Sequence, residues 1–315
     1  MSDTPLPLAA DEEIVLTDGN VHLRVSPYGA SLRGFTRGSG EPIVTEYSGA
    51  DNKVGGQGDV LIPFPGRIGH GTYTFEGQSY QMPINDKEGP NAIHGFLRSV
   101  VWDITAQSAD AITFETDIRA DEYREHGYPF SIHVALDYRL EVNGFQCSFT
   151  MTNVGDAAAP VAAGFHPYFT VLSEHINSDV LHVPFSDRLE FNDELVPTGV
   201  VLPLAGTDLD FQSSRPIGDV AINTCYLNPT RDADGMARIV LASENGNRKV
   251  TVWMDKAFDF AVLYSGDPLP EEHRRKSLAI EPMTCGSDAF NHPEWGLVAL
   301  QPGAEFSGTW GVVFE

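Results

Sequence analysis

Three short stretches of the sequence place a histidine or an acid where an alternating strand pattern stops. They are residues 90–96 with His94, residues 164–169 with His166, and Leu278–Met283 with Glu281. Strand ends of this kind hold the backbone while a side chain points into a cleft. One carboxylate and two imidazoles form a sufficient set for bifunctional proton transfer, in which one group takes a proton while another gives one.

Each of these residues also has a structural interpretation. A histidine among aromatic residues, such as His166, is more often a hydrogen-bonded part of the core than a catalyst. An acid before proline, such as Glu281, more often ends a strand. The three residues together favour chemistry more strongly than any one of them alone.

Other kinds of reactive site have no signal in the sequence. The ten histidines show no set of ligands at metal-binding spacing, so we expect no zinc site. Cys147, Cys225 and Cys285 form no C-x-x-C pair. Neither a G-x-S-x-G turn nor a glycine-rich phosphate loop occurs.

Alternating strands are the elements that must position these side chains. Residues 132–140 and 145–151 alternate apolar and polar side chains, and Asn143-Gly144 between them predicts a tight turn with positive φ angles. A second hairpin is predicted with its turn near Gly77. Further strands are predicted at residues 112–118, 250–254, 260–264 and 306–314.

Helical signals are weak. Residues 121–126 and 270–276 are each predicted to form a turn or two of helix, and the Pro-rich stretch 183–203 is predicted to be a long loop. The 30 glycines and 21 prolines suit many short strands joined by turns. We therefore predict an all-β fold, a large antiparallel β-sandwich with few short helices. A single domain is expected over residues 1–315, with residues 1–12 as a loosely ordered tail.

The charge balance limits the partners. The 44 acidic and 20 basic residues give a net charge of −24, a field that repels nucleic acid and anionic membranes. No apolar run is long enough to span a membrane, and residues 1–13 lack the pattern of a secretory signal. We expect a cytoplasmic protein with reduced cysteines, and the sequence leaves monomer and homodimer open. The scarcity of lysine, five residues, favours a salt-rich environment.

The order of the motifs resembles the aldose 1-epimerase (galactose mutarotase) family. The similarity lies in His94-Gly95, in Gly-Phe-His166-Pro-Tyr-Phe and in Ile-Glu281-Pro. Residues 61–68, which include Arg67, and the closing Leu-Gln-Pro-Gly at 300–303 also match family patterns. The resemblance covers residues 18–314 and implies a many-stranded β-sandwich with an open sugar cleft, which agrees with the strand pattern.

The resemblance implies an enzyme that interconverts the α and β anomers of a free aldohexose such as glucose or galactose. Glu281 would act as general base on the anomeric hydroxyl while His166 donates a proton to the ring oxygen, so that the ring opens. After rotation about C1–C2, the same residues in reversed roles would close the other anomer. His94 would stabilise the charge that develops near the reacting oxygens. The reaction implies no metal and no other cofactor.

The resemblance also implies a set of sugar-binding residues. Arg67 would hold sugar hydroxyls with its planar fork of donors, and Asn223 stands where the family usually has an Asp. Tyr168 and Phe96 are candidates for aromatic platforms under the sugar. Further candidates for that role, each with a core role as the alternative, are Phe165, Trp253 and Trp295.

Departures from the family pattern leave the preferred sugar open. One departure is Asn223, and Asp219 is an alternative source of the carboxylate that is missing there. The others are Gly66, where many members have Asn, and Phe96, where many have a second Gly. A non-catalytic sugar-binding or regulatory protein on the same fold is therefore a second hypothesis. A hexose-phosphate epimerase would need clustered arginines, and a glycosidase would need a second carboxylate beside Glu281.

Overall fold

The computed structural model describes residues 12–315, which form 27 strands and several short helices. The strands are β1 (Ile14–Asp18), β2 (Val21–Ser26), β3 (Ser31–Arg37), β4 (Glu41–Val44), β5 (Val60–Leu61), β6 (Arg67–Ile68), β7 (Thr72–Phe75), β8 (Gln78–Gln81), β9 (Ala92–Ile93), β10 (Asp103–Gln107), β11 (Ala111–Ile118), β12 (Ile132–Glu141), β13 (Gly144–Asn153), β14 (Ala159–Val161), β15 (Gly164–Phe165), β16 (Tyr168–Phe169), β17 (Val180–His182), β18 (Phe185–Phe191), β19 (Pro197–Pro203), β20 (Arg215–Pro216), β21 (Asn223–Pro229), β22 (Ala237–Ala242), β23 (Lys249–Met254), β24 (Phe260–Tyr264), β25 (Leu278–Met283), β26 (Val298–Leu300) and β27 (Glu305–Phe314). One α-helix, α1 (Ala120–Tyr123), is present, together with 3-10 helices at Ala50–Asn52, Gly69–Gly71, Leu97–Ser99, Arg124–His126, Ile176–Ser178 and Pro293–Trp295.

Two large antiparallel sheets contain most of these strands. The 12-stranded sheet follows the order β1-β2-β3-β4-β16-β25-β24-β21-β18-β19, with β15 beside β25 and β5 beside β15. The nine-stranded sheet follows the order β10-β11-β12-β13-β27-β23-β22-β17-β20. The pairs β14-β26, β6-β9 and β7-β8 form three small sheets.

Buried aromatic side chains join the faces of the two large sheets. Phe35 of β3 contacts Phe145 of β13 edge to face, with ring centroids 5.1 Å apart. Phe165 of β15 packs on Trp310 of β27 at 5.3 Å. The predicted all-β sandwich with few short helices is therefore confirmed. We propose that the two sheets form the single domain predicted from the sequence; the predicted tail lies, except for Glu12, outside the described residues.

The best predicted hairpin is present, but its turn differs from the prediction. Glu141 of β12 pairs with Gly144 of β13, so the turn consists of Val142 and Asn143. Neither Asn143 nor Gly144 has a positive φ. Gly144 is needed for a different reason, because a Cβ there would lie 1.7 Å from the carbonyl oxygen of Val312 in the neighbouring strand.

The second predicted hairpin is confirmed as β7 and β8. Tyr73 pairs with Tyr80, and the turn residues Glu76 and Gly77 both have positive φ, at 49° and 79°. Positive φ at both positions matches the right-handed twist of the flanking strands. The strands predicted at 112–118, 250–254, 260–264 and 306–314 correspond to β11, β23, β24 and β27.

Two predictions about irregular segments are wrong. The stretch 183–203 is not a long loop, because it contains the antiparallel pair β18 and β19. Pro197 and Pro203 fit there since they begin and end β19, which is an edge strand. Residues 270–276 form hydrogen-bonded turns instead of a helix, and the left-handed Arg275, with φ 54°, stops any continuation. The helical turns predicted at 121–126 are confirmed by α1 and the 3-10 helix that follows it.

Within residues 12–315, no helix combines the length and the apolar character that crossing a membrane requires.

The contact between the sheets predicts a large effect of Phe145→Ala. Phe145 is fully buried between Phe35 and Trp310, so its truncation should leave a cavity and lower the free energy of unfolding by about 3–5 kcal/mol. Val142→Ala, at a turn residue that is 82% exposed, is the control and should change stability little. Urea unfolding followed by circular dichroism measures both. Equal midpoints for the two variants would contradict this packing.

Candidate functional site

An open cleft of about 410 Å³ lies over the centre of the 12-stranded sheet. Its floor consists of side chains from three adjacent strands, held in rows by the sheet register. Cys225 of β21 pairs with Val262 of β24, and Val262 pairs with Glu281 of β25. In the next row on the same face, Asn223 pairs with Tyr264. The register therefore fixes how far Glu281 lies from Asn223 across the floor.

The same register brings His166 opposite Glu281. Gly164 pairs with Met283 and Tyr168 pairs with Ala279, so residue 166 falls midway, beside residue 281. β15 ends at Phe165 and β16 begins at Tyr168. His166 therefore lies between the two strands, and its side chain can turn into the cleft. His166 Nε2 lies 3.4 Å from Glu281 Oε1. Both side chains line the cleft although only 7% and 4% of their surfaces are exposed.

Left-handed backbone places His94 beside this pair. His94 and Gly95 have φ of 64° and 65°, and a Cβ on Gly95 would lie 2.1 Å from the carbonyl oxygen of Ile62. The His94 N–H donates to the carbonyl of Gly66 at 3.0 Å, and the Gly66 N–H donates to His94 Nδ1 at 3.2 Å. Because Nδ1 accepts a hydrogen bond, the ring proton of neutral His94 is on Nε2. His94 and His166 have ring centroids 5.5 Å apart.

Burial determines the charge state of these three groups. It raises the pKa of Glu281 well above its ordinary value, although the charge of Arg67 acts in the opposite direction. Burial, together with the positive charges of Arg98 and Lys53, lowers the pKa of His166 to about 3. Burial and the neighbouring His166 also hold the pKa of His94 well below its ordinary value. Both shifts favour the state in which the pair of His166 and Glu281 holds one proton and no net charge.

Arg67 lies at the rim of the cleft between two acids. Its Nε donates to Asp86 at 2.7 Å and its Nη2 donates to Glu88 at 2.7 Å. Its backbone N–H donates to Ser287 Oγ at 3.0 Å. Gly66, which precedes it, has φ 68°, and a Cβ there would lie 2.8 Å from the same oxygen. The guanidinium is therefore held in one orientation with 12% of the side chain exposed.

The other predicted binding residues divide into those in the cleft and those outside it. Asn223 lines the cleft and is exposed. Tyr168 lies behind His166, where its ring stacks at 5.2 Å and its hydroxyl donates to the carbonyl of Gly55. Phe96 does not line the cleft; it packs on Tyr123 at 4.9 Å.

The remaining aromatic and acidic candidates also lie away from the cleft. Phe165 packs on Trp310 in the core, Trp295 stacks on His292, and Trp253 belongs to the nine-stranded sheet. Asp219 accepts a hydrogen bond from Asn177 and does not line the cleft, so it does not supply the carboxylate that the resemblance led us to expect near Asn223.

Sequence reasoning missed several residues of the cleft. Lys53 and Arg98 line it and share the buried Asp59 as their ionic partner. Gly56 covers His166, since a Cβ on it would lie 3.0 Å from the imidazole. The glycines around Gly56 were a signal that another group packs closely against the backbone there. Nothing in the sequence linked Lys53 to the histidines.

In the part of the chain that the structure describes, no three His, Cys, Asp or Glu side chains converge on a point that could hold a metal ion. The polar groups of the cleft instead pair with one another, as His166 does with Glu281 and Arg67 with Asp86 and Glu88. This arrangement suits hydrogen bonding to a polar, uncharged molecule.

Comparison with known proteins agrees with the fold and with the motif order. The model of the family described as aldose 1-epimerase matches residues 12–312. The uncharacterized protein YihR of Escherichia coli is 27% identical over 281 residues, covering 89% of this chain and 86% of that protein. Human galactose mutarotase is 27% identical over 274 residues, covering 80% of this chain and 77% of that protein.

Solved structures with the same fold include an aldose epimerase homologue from C. elegans. It superposes with a TM-score of 0.86 at 20% identity, covering 96% of this chain and 98% of that one. The family match extends over nearly the whole of the described chain and includes all three stretches that carry His94, His166 and Glu281. The chain belongs to the aldose 1-epimerase family.

Proposed function

We propose that this protein is a mutarotase that interconverts the α and β anomers of a free aldohexose. The observation that carries the proposal is the pair of His166 Nε2 and Glu281 Oε1, 3.4 Å apart and nearly buried at the floor of an open cleft. Ring opening of a hemiacetal needs one group to take the O1 proton and another to give a proton to O5. Membership of a carbohydrate epimerase family supports this reaction.

A single proton shared by the pair is sufficient for the whole cycle. With the proton on His166, Glu281 takes the O1 proton and His166 gives its own to O5, which opens the ring. The pair then has the proton on Glu281, and the reverse transfers after rotation about C1–C2 close the other anomer. Because the pKa shifts place the resting proton on Glu281, ring opening starts from the less populated form in which His166 holds that proton. The same pair therefore serves both faces of the carbonyl.

The groups around the pair suit an uncharged sugar. His94 presents Nε2–H as a donor to a reacting oxygen, and Asn223 offers an amide to a hydroxyl. Arg67 keeps further N–H donors in a fixed plane. Several relatives are named galactose mutarotase, which makes galactose one probe and glucose the other.

The pairing of the charged groups favours this reaction over the two other enzymatic hypotheses. Lys53 and Arg98 share the buried Asp59, so this cluster has one unmatched positive charge, whereas a phosphate group carries about −1.5 to −2 and would leave part of its charge unpaired there. Asp86 and Glu88 both bind Arg67 and act as its ionic partners, whereas a glycosidase needs a second carboxylate that works with Glu281. The two reactions are separated by assaying glucose 6-phosphate and a nitrophenyl glycoside beside the free sugars.

Removing either member of the pair should abolish catalysis while the protein still folds. We expect Glu281→Gln and His166→Asn each to lower kcat/KM for anomer exchange by about 10²–10⁴-fold, because each removes one proton-transfer group. Polarimetry and NMR exchange on fresh α-D-glucose and α-D-galactose measure the rate, after subtraction of the rate in buffer.

A half-buried histidine and acid on the nine-stranded sheet provide matched controls. His133 Nε2 lies 3.7 Å from Glu115 Oε2, far from the cleft, so His133→Asn and Glu115→Gln should keep wild-type activity. Wild-type protein that binds sugar but leaves the buffer rate unchanged would instead identify a non-catalytic sugar-binding protein. In that case sugar affinity would also be insensitive to Glu281→Gln.

The pH dependence of activity should differ from that of an ordinary histidine. The pair keeps its single proton above the pKa of His166, about 3, and below the raised pKa of Glu281. Between these two limits we therefore expect kcat/KM to be flat, without the inflection near about 6.5 that an ordinary histidine would give. NMR exchange in buffers of constant ionic strength measures the profile. A tenfold fall in activity across that range would contradict the shared-proton mechanism.

The raised pKa of Glu281 also predicts a gain in stability on its neutralisation. Between the unfolded-state pKa of about 4.3 and the raised folded-state pKa, the folded protein binds more protons, so stability falls as pH rises. Glu281→Gln cannot ionise, so its Tm should exceed that of the wild type at alkaline pH. Calorimetry at several pH values tests this, and a Tm that is lower at every pH would refute it.

A further inference from the structure

Lys53, Asp59 and Arg98 form a charged cluster, here termed the Asp59 triad, beside His166. The Asp59 side chain is completely buried. Lys53 Nζ lies 2.6 Å from one carboxylate oxygen and Arg98 Nη1 lies 3.5 Å from the other. Lys53 and Arg98 line the cleft, with 21% and 23% of their side chains exposed. One buried acid thus holds two cations at the cleft wall.

The triad leaves a surplus of positive charge in a strongly acidic protein. Two cations and one carboxylate give a net charge of +1, within a chain of net charge −24. Burial raises the pKa of Asp59, and both cations act against this rise. The carboxylate therefore depends on Lys53 and Arg98 for its ionisation, and they depend on it for their positions.

The backbone attaches the triad to His166. The His166 N–H donates to the carbonyl of Asp59 at 3.0 Å, and the Gly58 N–H donates to the carbonyl of His166 at 2.9 Å. Gly56 packs on the imidazole. A shift of Asp59 would therefore move His166 as well as the two cations.

The other titratable groups beside His166 supply no positive charge. Burial raises the pKa of Glu281 and Tyr168 and lowers that of His94, and each of these shifts favours the neutral form of the group. The charges of Arg98 and Lys53 are those that reach His166. The electrostatic character of this end of the cleft is therefore set by the Asp59 triad.

We propose that Asp59 is a positioning residue that aims Lys53 and Arg98 at the ring oxygen, where they stabilise the negative charge that develops as the sugar ring opens. The proposal rests on the mutarotase function proposed above. In that step the O1 proton goes to Glu281, the O1 electron pair forms the C1=O1 double bond, the C1–O5 pair stays on O5, and O5 receives the proton from His166 Nε2.

Cations beside O5 act most strongly while that proton is still in transfer, because the oxygen then carries the most negative charge. The closed sugar is uncharged and gains little from them. Interactions that are stronger in the transition state than in the bound substrate raise kcat and leave KM nearly unchanged. A purely structural ion cluster would show no such separation.

Replacing Lys53 with and without its charge tests the proposal. We expect Lys53→Met to lower kcat for glucose or galactose anomer exchange about 10–100-fold with KM within about twofold, whereas Lys53→Arg keeps kcat within about threefold. Arg238 of β22, in the nine-stranded sheet, also binds two acids, Asp232 and Asp234. Arg238→Met is therefore the matched control and should leave kcat unchanged. Saturation kinetics by NMR exchange give both constants, and calorimetry monitors folding.

Asp59→Asn tests positioning as distinct from charge. It should lower kcat at least as much as Lys53→Met, although both cations remain in the chain. The double variant should lose less than the combined factor of the two single variants, since both changes remove the same aimed charge. If Asp59→Asn does not fold, the comparison of Lys53→Met with Lys53→Arg decides alone.

Three results would overturn the inference. Lys53→Met with wild-type kcat, or an equal loss in Lys53→Arg, would assign the triad a structural role only. A rise in KM with unchanged kcat would assign Lys53 to sugar binding. In each of these cases an active wild type leaves the mutarotase proposal intact, whereas a wild type without anomer exchange overturns both proposals.

Discussion

The desolvation of one carboxylate beside one imidazole is the constraint on which the site depends. Glu281 and His166 are both nearly buried, and each would be charged on its own in water at some physiological pH. Removed from water, the pair is most stable with one proton and no net charge. That state is also the one from which a neutral hemiacetal can be opened and closed, so the physical cost of burial and the chemistry of proton exchange select the same arrangement.

Two charged clusters of opposite net sign flank this pair. Arg67 between Asp86 and Glu88 carries a net charge of −1 and acts on Glu281, while the Asp59 triad carries +1 and acts on His166. Each cluster pairs internally, so its charges and the dipoles between them are fixed in position. Preorganised dipoles of this kind stabilise developing charge without reorganisation during the reaction. The acidity of the whole chain therefore says little about the field inside its cleft.

The sequence predicted much of the fold because strand alternation is local. The β12/β13 and β7/β8 hairpins follow from period-two patterns interrupted by turn residues. The errors occurred where a local signal had a tertiary cause. Gly144 is needed because β27 approaches it closely and not because it lies in a turn. Pro197 and Pro203 bound an edge strand and do not indicate a loop. Local composition does not distinguish these cases, since both roles use the same residues.

By itself the sequence determined which residue types were available for proton transfer, namely His94, His166 and Glu281 in motifs of a recognisable order. Only the tertiary structure decided that β25 pairs with β15 and β16 in the register that sets His166 against Glu281. The tertiary structure alone also showed that Lys53 and Arg98 share Asp59 as their ionic partner and that Phe96 packs outside the cleft. The physical reason is that strand register and ion pairing join residues far apart in the chain, and no periodic pattern within either segment encodes its distant partner.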